Sequence, residues 1–319
     1  MIGEAAVELI KESRNIAILS HIMPDGDNIG SCLALYNALV KLGKNVVVVL
    51  DDDVPEVYRF LKNSDQIVKP ECSYDLDLVV TLDCGDTGRF GKSAKYLESN
   101  KIINIDHHIS NTNFGHYNIV DTNASATAEL VYELIKKLEI TLDKDICECI
   151  YTGIVTDTGQ FQYSNTTSAT HRIVAELISN GVEPAKVYKD IYQNNSLSKI
   201  KLLGEALSSI ELHYNNKIAS IILRKELFEK VGAKDEDSDG IINYARDIKG
   251  VEVALLFREI EDGKIKIGFR SKDFINVNEI AQKFGGGGHK RAAGATAVGD
   301  IRNIKDKVIE EVISAFPVV

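Results

Sequence analysis

The sequence predicts a two-domain protein: an α/β domain built on a parallel sheet, followed by a smaller α+β domain. In the first half, short apolar runs alternate with helical patterns, which is the order of a parallel sheet covered by helices. In the last third, two strand patterns flank a turn sequence, as in a hairpin. The chain has 319 residues, enough for two domains that each bury a sizeable core.

Four short apolar runs in the first half predict strands, and the Val-rich run at 45–50 is typical of a strand buried on both faces. They lie at residues 15–20, 45–50, 77–82 and 101–105. After the first run, Asp27 or Asn28 can cap a helix that continues to Leu42 and ends at Gly43. Because strand and helix alternate, we expect the strands to be parallel neighbours.

The middle of the chain is helical, and the second domain is mixed. Helical patterns lie at residues 125–138, 144–156 and 168–180, and a change in composition at 194–198 marks a linker. Beyond it are predicted strands at 218–223, 251–260 and 264–269, the last two joined by Glu261-Asp262-Gly263, and helices at 277–283 and 304–315. We therefore predict a first domain over 1–192, a linker over 193–202 and a second domain over 203–319.

Composition and charge exclude several classes of protein. No apolar stretch reaches the length of a membrane span, and the N-terminus begins with an acidic segment, so we expect a cytoplasmic protein with no membrane partner. The five cysteines form no CxxC pair, which favours reduced thiols. A net charge of −10 argues against a protein that coats long nucleic acid, but not against a small phosphorylated substrate.

Metal-capable side chains stand where three of the predicted strands end. If these strands are parallel neighbours, their carboxyl ends meet at one crevice, the usual ligand position in open α/β sheets. Seven candidates would meet there: His21, Asp25, Asp27, Asp83, Asp106, His107 and His108. Asp157 follows a predicted helix, where the helix dipole disfavours a carboxylate unless a cation is near. This mixture of carboxylates and imidazoles suits a pair of divalent cations.

These motifs carry a resemblance to a known family. Their order and rough spacing match the four motifs of DHH-superfamily phosphoesterases, and a glycine-rich GGGH segment at residues 286–289 resembles that of the DHHA1 domain. The resemblance covers essentially the whole chain. Within that family, the chain is similar to the nanoRNase (oligoribonuclease) and pAp phosphatase type. This similarity implies a catalytic first domain, a substrate-binding second domain and an active site in the cleft between them.

The resemblance also implies the metal ligands. One ion would be held by His21, Asp25 and Asp83. The other would be held by Asp27, Asp83, His107 and Asp157. The expected cofactors are two Mn²⁺ per chain, with Mg²⁺ or Co²⁺ as substitutes. Asp106 would then fix a histidine by a hydrogen bond, and His108 would contact the phosphate.

Two metals about 3.5 to 4 Å apart lower the pKa of a shared water, so a hydroxide can attack phosphorus in line. Two divalent ions only neutralise the four ligand carboxylates, so a polyanionic substrate needs further cations and N–H donors. The candidates in the second domain are Arg270, Lys272, Gly286, Gly287, Gly288, His289 and Arg291. The alternative for the glycine run is a flexible hinge.

We therefore expect a phosphodiesterase and phosphatase whose partners are short single-stranded RNA or DNA oligonucleotides and small phosphonucleotides, including 3′-phosphoadenosine 5′-phosphate. Hydrolysis of cyclic di-AMP, or a family II inorganic pyrophosphatase activity, is the enzymatic alternative. The intact metal motifs argue against a nucleotide-binding regulator without catalysis. A homodimer is compatible with the sequence.

Overall fold

The computed structural model describes residues 3–98, 101–260 and 263–317, which divide into two compact units, Met1–Asn194 and Asn195–Val319. The second unit begins with a helix, α7 (Leu197–Ser208), so residues 197–202 of the predicted linker are helical. Ser196 caps this helix by accepting a hydrogen bond from the Lys199 N–H, and Leu202 is buried in the core of the second unit. The capping serine and the buried apolar face explain why a segment with a linker-like composition is ordered.

The first unit contains a parallel sheet, as predicted, and it has six strands, two more than the four predicted runs. Its strands are β1 (Asn15–Leu19), β2 (Asn45–Val49), β3 (Ile67–Val68), β4 (Leu78–Leu82), β5 (Lys101–Asp106) and β6 (Tyr117–Val120). They are ordered β3-β2-β1-β4-β5-β6, and Ala17 of β1 lies opposite Val47 on one side and Val79 on the other. From β1 the chain adds β2 and β3 on one side and then β4, β5 and β6 on the other, so the strand order changes direction between β1 and β4. Ligands are expected at the carboxyl ends of the strands at such a point.

Six helices accompany this sheet in the described part of the first unit. They are α1 (Glu4–Glu12), α2 (Gly26–Lys41), α3 (Thr127–Lys137), α4 (Lys144–Asp157), α5 (Ser168–Ser179) and α6 (Pro184–Tyr192). The prediction that Asp27 or Asn28 caps α2 is wrong. The cap is Asp25, whose Oδ1 accepts a hydrogen bond from the Asn28 N–H at 3.0 Å. The helix therefore begins two or three residues earlier than predicted, and Gly26 and Asp27 are already helical and buried.

Helices α2 and α4 approach each other closely at glycines. A Cβ atom added to Gly30 would lie 2.5 Å from the carbonyl oxygen of Cys149, and one added to Gly153 would lie 2.8 Å from Oδ1 of Asp27. Only glycine permits such a short separation between the helix backbones. This packing fixes α2 and α4, which carry Asp27 and Asp157, relative to each other.

The second unit is built on a mixed sheet. Its strands are β7 (Glu211–His213), β8 (Ile218–Leu223), β9 (Val253–Glu259), β10 (Lys264–Ser271), β11 (Gly287–His289) and β12 (Ala292–Val298). They are ordered β11-β12-β10-β9-β8-β7, with β8 and β9 parallel and the other neighbours antiparallel. The helices after α7 are α8 (Lys225–Val231), α9 (Ile241–Arg246), α10 (Val277–Lys283) and α11 (Ile301–Ser314).

One strand of the second unit was not predicted, and part of the predicted hairpin turn lies outside the described residues. The segment after the glycine run, for which no element was predicted, is the strand β12, although its alanine and glycine residues have low strand propensity. Pairing with β10, which places Ala293 opposite Phe269, overrides that propensity. Of the predicted hairpin turn, Glu261 and Asp262 lie outside the described residues, while the flanking strands β9 and β10 do pair antiparallel. In the described ranges, no helix has the length and apolar character required to cross a bilayer.

The close contact between α2 and α4 can be tested by adding a single methyl group. We expect Gly30→Ala to lower the free energy of unfolding by about 1–3 kcal/mol, because its Cβ would collide with a backbone carbonyl that cannot move without shifting α4. Gly204→Ala in α7 is the matched control, since nothing lies within 4 Å of its added Cβ and alanine favours a helix. Urea denaturation of both variants measures the difference. Equal stability of the two would contradict the packing argument.

Candidate metal centre

The metal-capable side chains predicted from the sequence meet at the carboxyl ends of three neighbouring strands. His21 follows β1, Asp83 follows β4, and Asp106 is the last residue of β5. All three are buried. Asp83 adopts a left-handed backbone conformation with φ +54°, which aspartate tolerates better than most residues, and its N–H donates to the Ile105 carbonyl at 3.0 Å.

Three overlapping groups of side chains have the geometry to hold a metal ion. Within each group, one donor atom from each residue lies within 4.8 Å of the others. The groups are His21, Asp25 and Asp83; Asp27, His107 and Asp157; and Asp83, His107 and His108. The first group has the same residues as the first predicted ligand set. The second group has the residues of the second predicted set without Asp83.

Asp83 lies between the other candidates. Its Oδ2 is 3.3 Å from His21 Nε2, and its Oδ1 is 3.7 Å from His107 Nε2. The Thr127 hydroxyl also donates to Oδ1 at 3.0 Å. One carboxylate therefore directs its two oxygens toward two different histidines, the arrangement that a bridging ligand requires.

Two histidines are oriented by backbone carbonyls. Nδ1 of His21 lies 2.8 Å from the Ile22 carbonyl oxygen, and Nδ1 of His107 lies 3.3 Å from that of Ala124. A carbonyl can only accept, so the proton of each neutral ring belongs on Nδ1 and the lone pair on Nε2. In both residues Nε2 is the atom that faces the carboxylates. This is the usual environment of a metal-binding histidine.

His108 is held differently. Its Nδ1 lies 2.6 Å from Oδ1 of Asp106, a carboxylate rather than a carbonyl. The same Oδ1 accepts the His107 N–H at 2.9 Å, and Oδ2 accepts from the Asn111 side chain. With Nδ1 donating to Asp106, proton exchange at His108 would take place at Nε2.

Two asparagines that the sequence analysis missed support Asp106. The Asn111 amide donates to Asp106 and also to Oδ1 of Asn104 at 2.9 Å. Asn104 is buried in β5 and donates to the Thr81 hydroxyl and the Cys84 carbonyl. A polar residue in the middle of the apolar run 101–105 was the sequence signal that could have revealed this network, because a buried amide needs partners.

Asp27 of α2 also caps the N-terminus of a second helix, α3. Its Oδ2 accepts the Thr127 N–H at 2.6 Å, and its Oδ1 accepts the Ala128 N–H at 2.9 Å. These are the first N–H groups of α3, whose own N-cap residue, Ala126, makes no side-chain cap. Asp27 thus satisfies the positive end of α3 with an anion. No local pattern could predict a contact between residues about a hundred positions apart.

Asp157 ends α4, as predicted. Its side chain is 32% exposed, and its Oδ2 lies 3.6 Å from His107 Nε2. The Asn165 side chain donates to the Asp157 carbonyl at 3.1 Å and to the Ser125 carbonyl at 2.9 Å. Asn165, also missed by the sequence analysis, joins the end of α4 to the segment before α3.

The electrostatics of this cluster reflect crowding of negative charge. Burial raises the pKa of Asp27 well above its ordinary value, with the Asp83 carboxylate adding to the shift. Burial also raises the pKa of Asp157 to about 7, against the opposing attraction of His107. Burial disfavours the charged form of His107, but Asp157 and its neighbours outweigh it and raise the pKa of His107 to about 9. Protonation of His107 therefore supplies positive charge beside these carboxylates, and protonation of Asp157 removes negative charge.

The predicted substrate-binding residues of the second unit lie on β10, β11 and the adjoining loops. Arg270 is on β10 and donates to the Phe269 carbonyl, while Lys272 follows it and donates to the Ile248 carbonyl at 2.9 Å. Arg291 donates to the Ile275 carbonyl at 3.1 Å. Each cation is therefore anchored by a main-chain oxygen.

The glycine run is not a simple hinge. Residues 287–289 form the edge strand β11, and a Cβ added to Gly286 would lie 2.0 Å from the Gly294 carbonyl oxygen. Gly288, with φ +149°, would place a Cβ 2.5 Å from the Ala292 carbonyl oxygen. Glycine is required for the close approach of β11 to β12, and the outer side of an edge strand carries backbone donors.

One buried carboxylate organises the loop after β10. Glu252 accepts the backbone N–H groups of Asp273, Phe274 and Ile275 at 2.8–3.2 Å, and its own carbonyl accepts the Lys272 N–H. Such a bundle of N–H donors around one carboxylate is a strong interaction. The sequence analysis missed Glu252, because nothing near residue 252 indicates a partner twenty residues later.

Comparison with known proteins identifies the family. A model of the N-terminal domain of the DHH family matches residues 15–154, and a DHHA1 domain model matches residues 215–315. A bifunctional oligoribonuclease and PAP phosphatase NrnA from Thermus thermophilus is 37% identical over 298 residues, which cover 93% of this chain and 89% of that protein. The chain belongs to the DHH family. The resemblance inferred from the motifs is confirmed.

Other relatives agree with the assignment to the DHH family. A protein of the same name from Bacillus subtilis is 32% identical over 287 residues, 88% of each chain. The crystal structure of an exopolyphosphatase-related protein from Bacteroides fragilis is 30% identical, with a TM-score of 0.92 over 98% of this chain and 97% of that one. As a DHH family member, this chain is a hydrolase of phosphoric esters.

The donor set of the DHH domain fits divalent cations. It combines buried carboxylates with imidazole nitrogens, and Asp83 lies within reach of two histidines. Cations bound there would replace the protons that now balance the carboxylates. The structure therefore supports metal binding by the DHH domain on the chemistry of its own side chains.

Metal binding by the DHH domain should release protons. With a pKa of about 9 for His107 and about 7 for Asp157, both groups carry protons at lower pH and compete with a metal ion. We expect metal affinity to rise as the pH increases from about 6 to about 9, with about one proton or more released per chain near pH 7. Calorimetry in buffers of different ionisation enthalpy measures the number.

His171→Ala is the control for this measurement, because His171 is exposed on α5 and belongs to none of the three candidate groups. It should release as many protons as the wild type. Metal binding without proton release near pH 7 would show that His107 and Asp157 are already deprotonated before the ion arrives.

Proposed function

We propose that this DHH protein is a Mn²⁺-dependent phosphodiesterase and phosphatase. Its substrates are short oligonucleotides, hydrolysed to nucleoside monophosphates, and 3′-phosphoadenosine 5′-phosphate, hydrolysed to AMP. The observation that carries this proposal is the cluster in which Asp83 directs one oxygen toward His21 and the other toward His107. The NrnA relatives, at 32–37% identity over most of the chain, support the substrate class.

Two sets of side chains would hold the metal ions. His21, Asp25 and Asp83 form one set. Asp27, Asp83, His107 and Asp157 form the other. When bound, two divalent cations supply Lewis acidity, which polarises the phosphate and makes a water molecule more acidic. The mixture of imidazole and carboxylate donors, without thiolate, favours Mn²⁺.

His108 is the proposed catalytic residue closest to the reacting phosphate. Asp106 holds the ring through Nδ1 at 2.6 Å, and Asn111 keeps the Asp106 carboxylate in place. Nε2 can then donate a hydrogen bond to a phosphate oxygen, or a proton to the leaving group. The chain Asn104–Asn111–Asp106–His108 fixes the direction of that donation.

The second unit is proposed to bind the part of the substrate that does not react. Arg270, Lys272 and Arg291 are cations held by main-chain carbonyls, and Glu252 keeps the loop after Lys272 in one conformation. Anchored cations lose little conformational freedom on binding a phosphate. His289 and the backbone of residues 286–288 complete this proposed binding surface.

A substrate panel tests the proposed function. With Mn²⁺ we expect turnover of dinucleotides and of 3′-phosphoadenosine 5′-phosphate, and little turnover of a long single strand, cyclic di-AMP or pyrophosphate. Asp83→Asn, prepared in the same way, is the control for contaminating nucleases, because it removes charge from the shared ligand while preserving its shape. Turnover of pyrophosphate alone, or of cyclic di-AMP alone, would assign a different substrate to the same site.

The two neighbouring histidines should separate metal binding from catalysis. We expect His108→Ala to keep its bound metal and to lose roughly 10²-fold or more in kcat, the scale of losing a general acid or an oxyanion donor. His107→Ala should lose metal as well as rate. Metal analysis by mass spectrometry and steady-state kinetics provide the two measurements. If His108→Ala were depleted of metal and His107→Ala were fully loaded, the two roles would be exchanged.

A further inference from the structure

One cation of the first unit, Arg89, lies beside the metal centre but is not among the predicted ligands and substrate residues. Arg89 ends a short 3-10 turn (Thr87–Arg89) that follows β4 and Asp83. Its Nη2 lies 3.3 Å from Nδ1 of His21, a proposed metal ligand. We propose that Arg89 binds a non-bridging oxygen of the scissile phosphate.

The backbone of Arg89 is held on both sides. Its carbonyl accepts the Ile22 N–H at 2.8 Å, which ties the turn to the segment that follows His21. The next residue, Phe90, is completely buried and packs edge-to-face on Phe114. Asp51 then accepts the N–H groups of Lys92 and Ser93 at 2.6 and 2.9 Å. The guanidinium therefore extends from a rigid base beside the metal centre.

The charge of Arg89 has no carboxylate partner of its own. Among the described residues, no Asp or Glu oxygen lies within 4.0 Å of its guanidinium, although other cations of this unit, such as Lys41 and Lys144, form such pairs. A guanidinium has five N–H donors and no acceptor. Because Nδ1 of His21 donates its proton to the Ile22 carbonyl, it has no lone pair for Arg89, so the 3.3 Å approach joins two donors and uses none of the five. Because the Ile22 carbonyl already takes the Nδ1 proton of His21, Arg89 is not needed to orient that ring.

The negative charge of the phosphate substrate gives a reason for a cation at this position. Two divalent ions would offset the four carboxylates of Asp25, Asp27, Asp83 and Asp157 and leave no surplus for the phosphate. A phosphomonoester brings up to two negative charges on its non-bridging oxygens, and the leaving-group oxygen gains charge as its bond to phosphorus breaks. A planar guanidinium matches two phosphate oxygens at once. This inference rests on the proposed function for the identity of the substrate, but not for the presence of an anion site.

The test compares Arg89→Gln with Arg172→Gln, which removes the same charge from an exposed position on α5. Calorimetry in Mg²⁺ buffer measures the dissociation constant of inorganic phosphate, and a separate titration measures that of the metal alone. We expect Arg89→Gln to weaken phosphate binding by about 10- to 100-fold, with unchanged metal affinity and melting temperature. Arg172→Gln should behave as the wild type. Arg89→Lys, which keeps the charge but not the planar fork, should lie between them.

Each other result overturns the proposal. Phosphate binding at wild-type strength in Arg89→Gln would place the anion elsewhere. Loss of metal together with phosphate would mean that Arg89 acts by supporting His21. If Arg89→Gln did not fold, Arg89→Lys would decide by the same two titrations, with a loss of about 3- to 10-fold for phosphate alone as the supporting result.

The same variants distinguish this proposal from the proposed function. If the wild type hydrolysed none of the nucleotide panel yet bound phosphate through Arg89, the function would fail and the anion site would stand. If it hydrolysed dinucleotides and Arg89→Gln did so with unchanged kcat and KM, the function would stand and the role of Arg89 would fail.

Discussion

Repulsion among carboxylates at one end of a parallel sheet is the constraint on which the rest of this structure depends. Asp27 and Asp83 are buried, and Asp157 is only partly exposed, so their charges are poorly screened by water. The protein offsets this cost with hydrogen bonds from backbone and side chains and with protonated histidines. A cation is the natural remaining partner, and the arrangement of the donor atoms leaves it a defined place.

The helices of the first unit follow from this constraint. Asp27 accepts the first N–H groups of α3, so one carboxylate both faces the cluster and stabilises a helix. Glycines at positions 30 and 153 let α2 and α4 approach closely enough to bring Asp27 and Asp157 to the same histidine. The packing of these two helices therefore determines the spacing of the candidate ligands, so the metal centre depends directly on the helix packing.

The polar network behind the site has a comparable role. Buried amides at Asn104 and Asn111 hold Asp106, and Asp106 holds His108 through Nδ1, while main-chain carbonyls hold His21 and His107. The kind of partner separates the histidines: a carbonyl at Nδ1 directs Nε2 of His21 and His107 toward the carboxylates, whereas the hydrogen bond to Asp106 helps to raise the pKa of His108. In the second unit Glu252 performs an equivalent structural task for a loop that carries cations.

The sequence by itself determined the apolar strands of both sheets and the position of the candidate ligands at strand ends. It also determined the family. Hydrophobic periodicity and short motifs are local properties, so they can be read without the tertiary structure. The strand β12 and the partners of Asp27 and Glu252 were decided only by the tertiary structure. Each of these depends on groups far apart in the chain: Thr127 for Asp27, Phe269 for Ala293, and the loop at 273–275 for Glu252. Local propensity carries no information about such contacts, since a buried hydrogen-bonding group takes whichever partner the fold brings within reach.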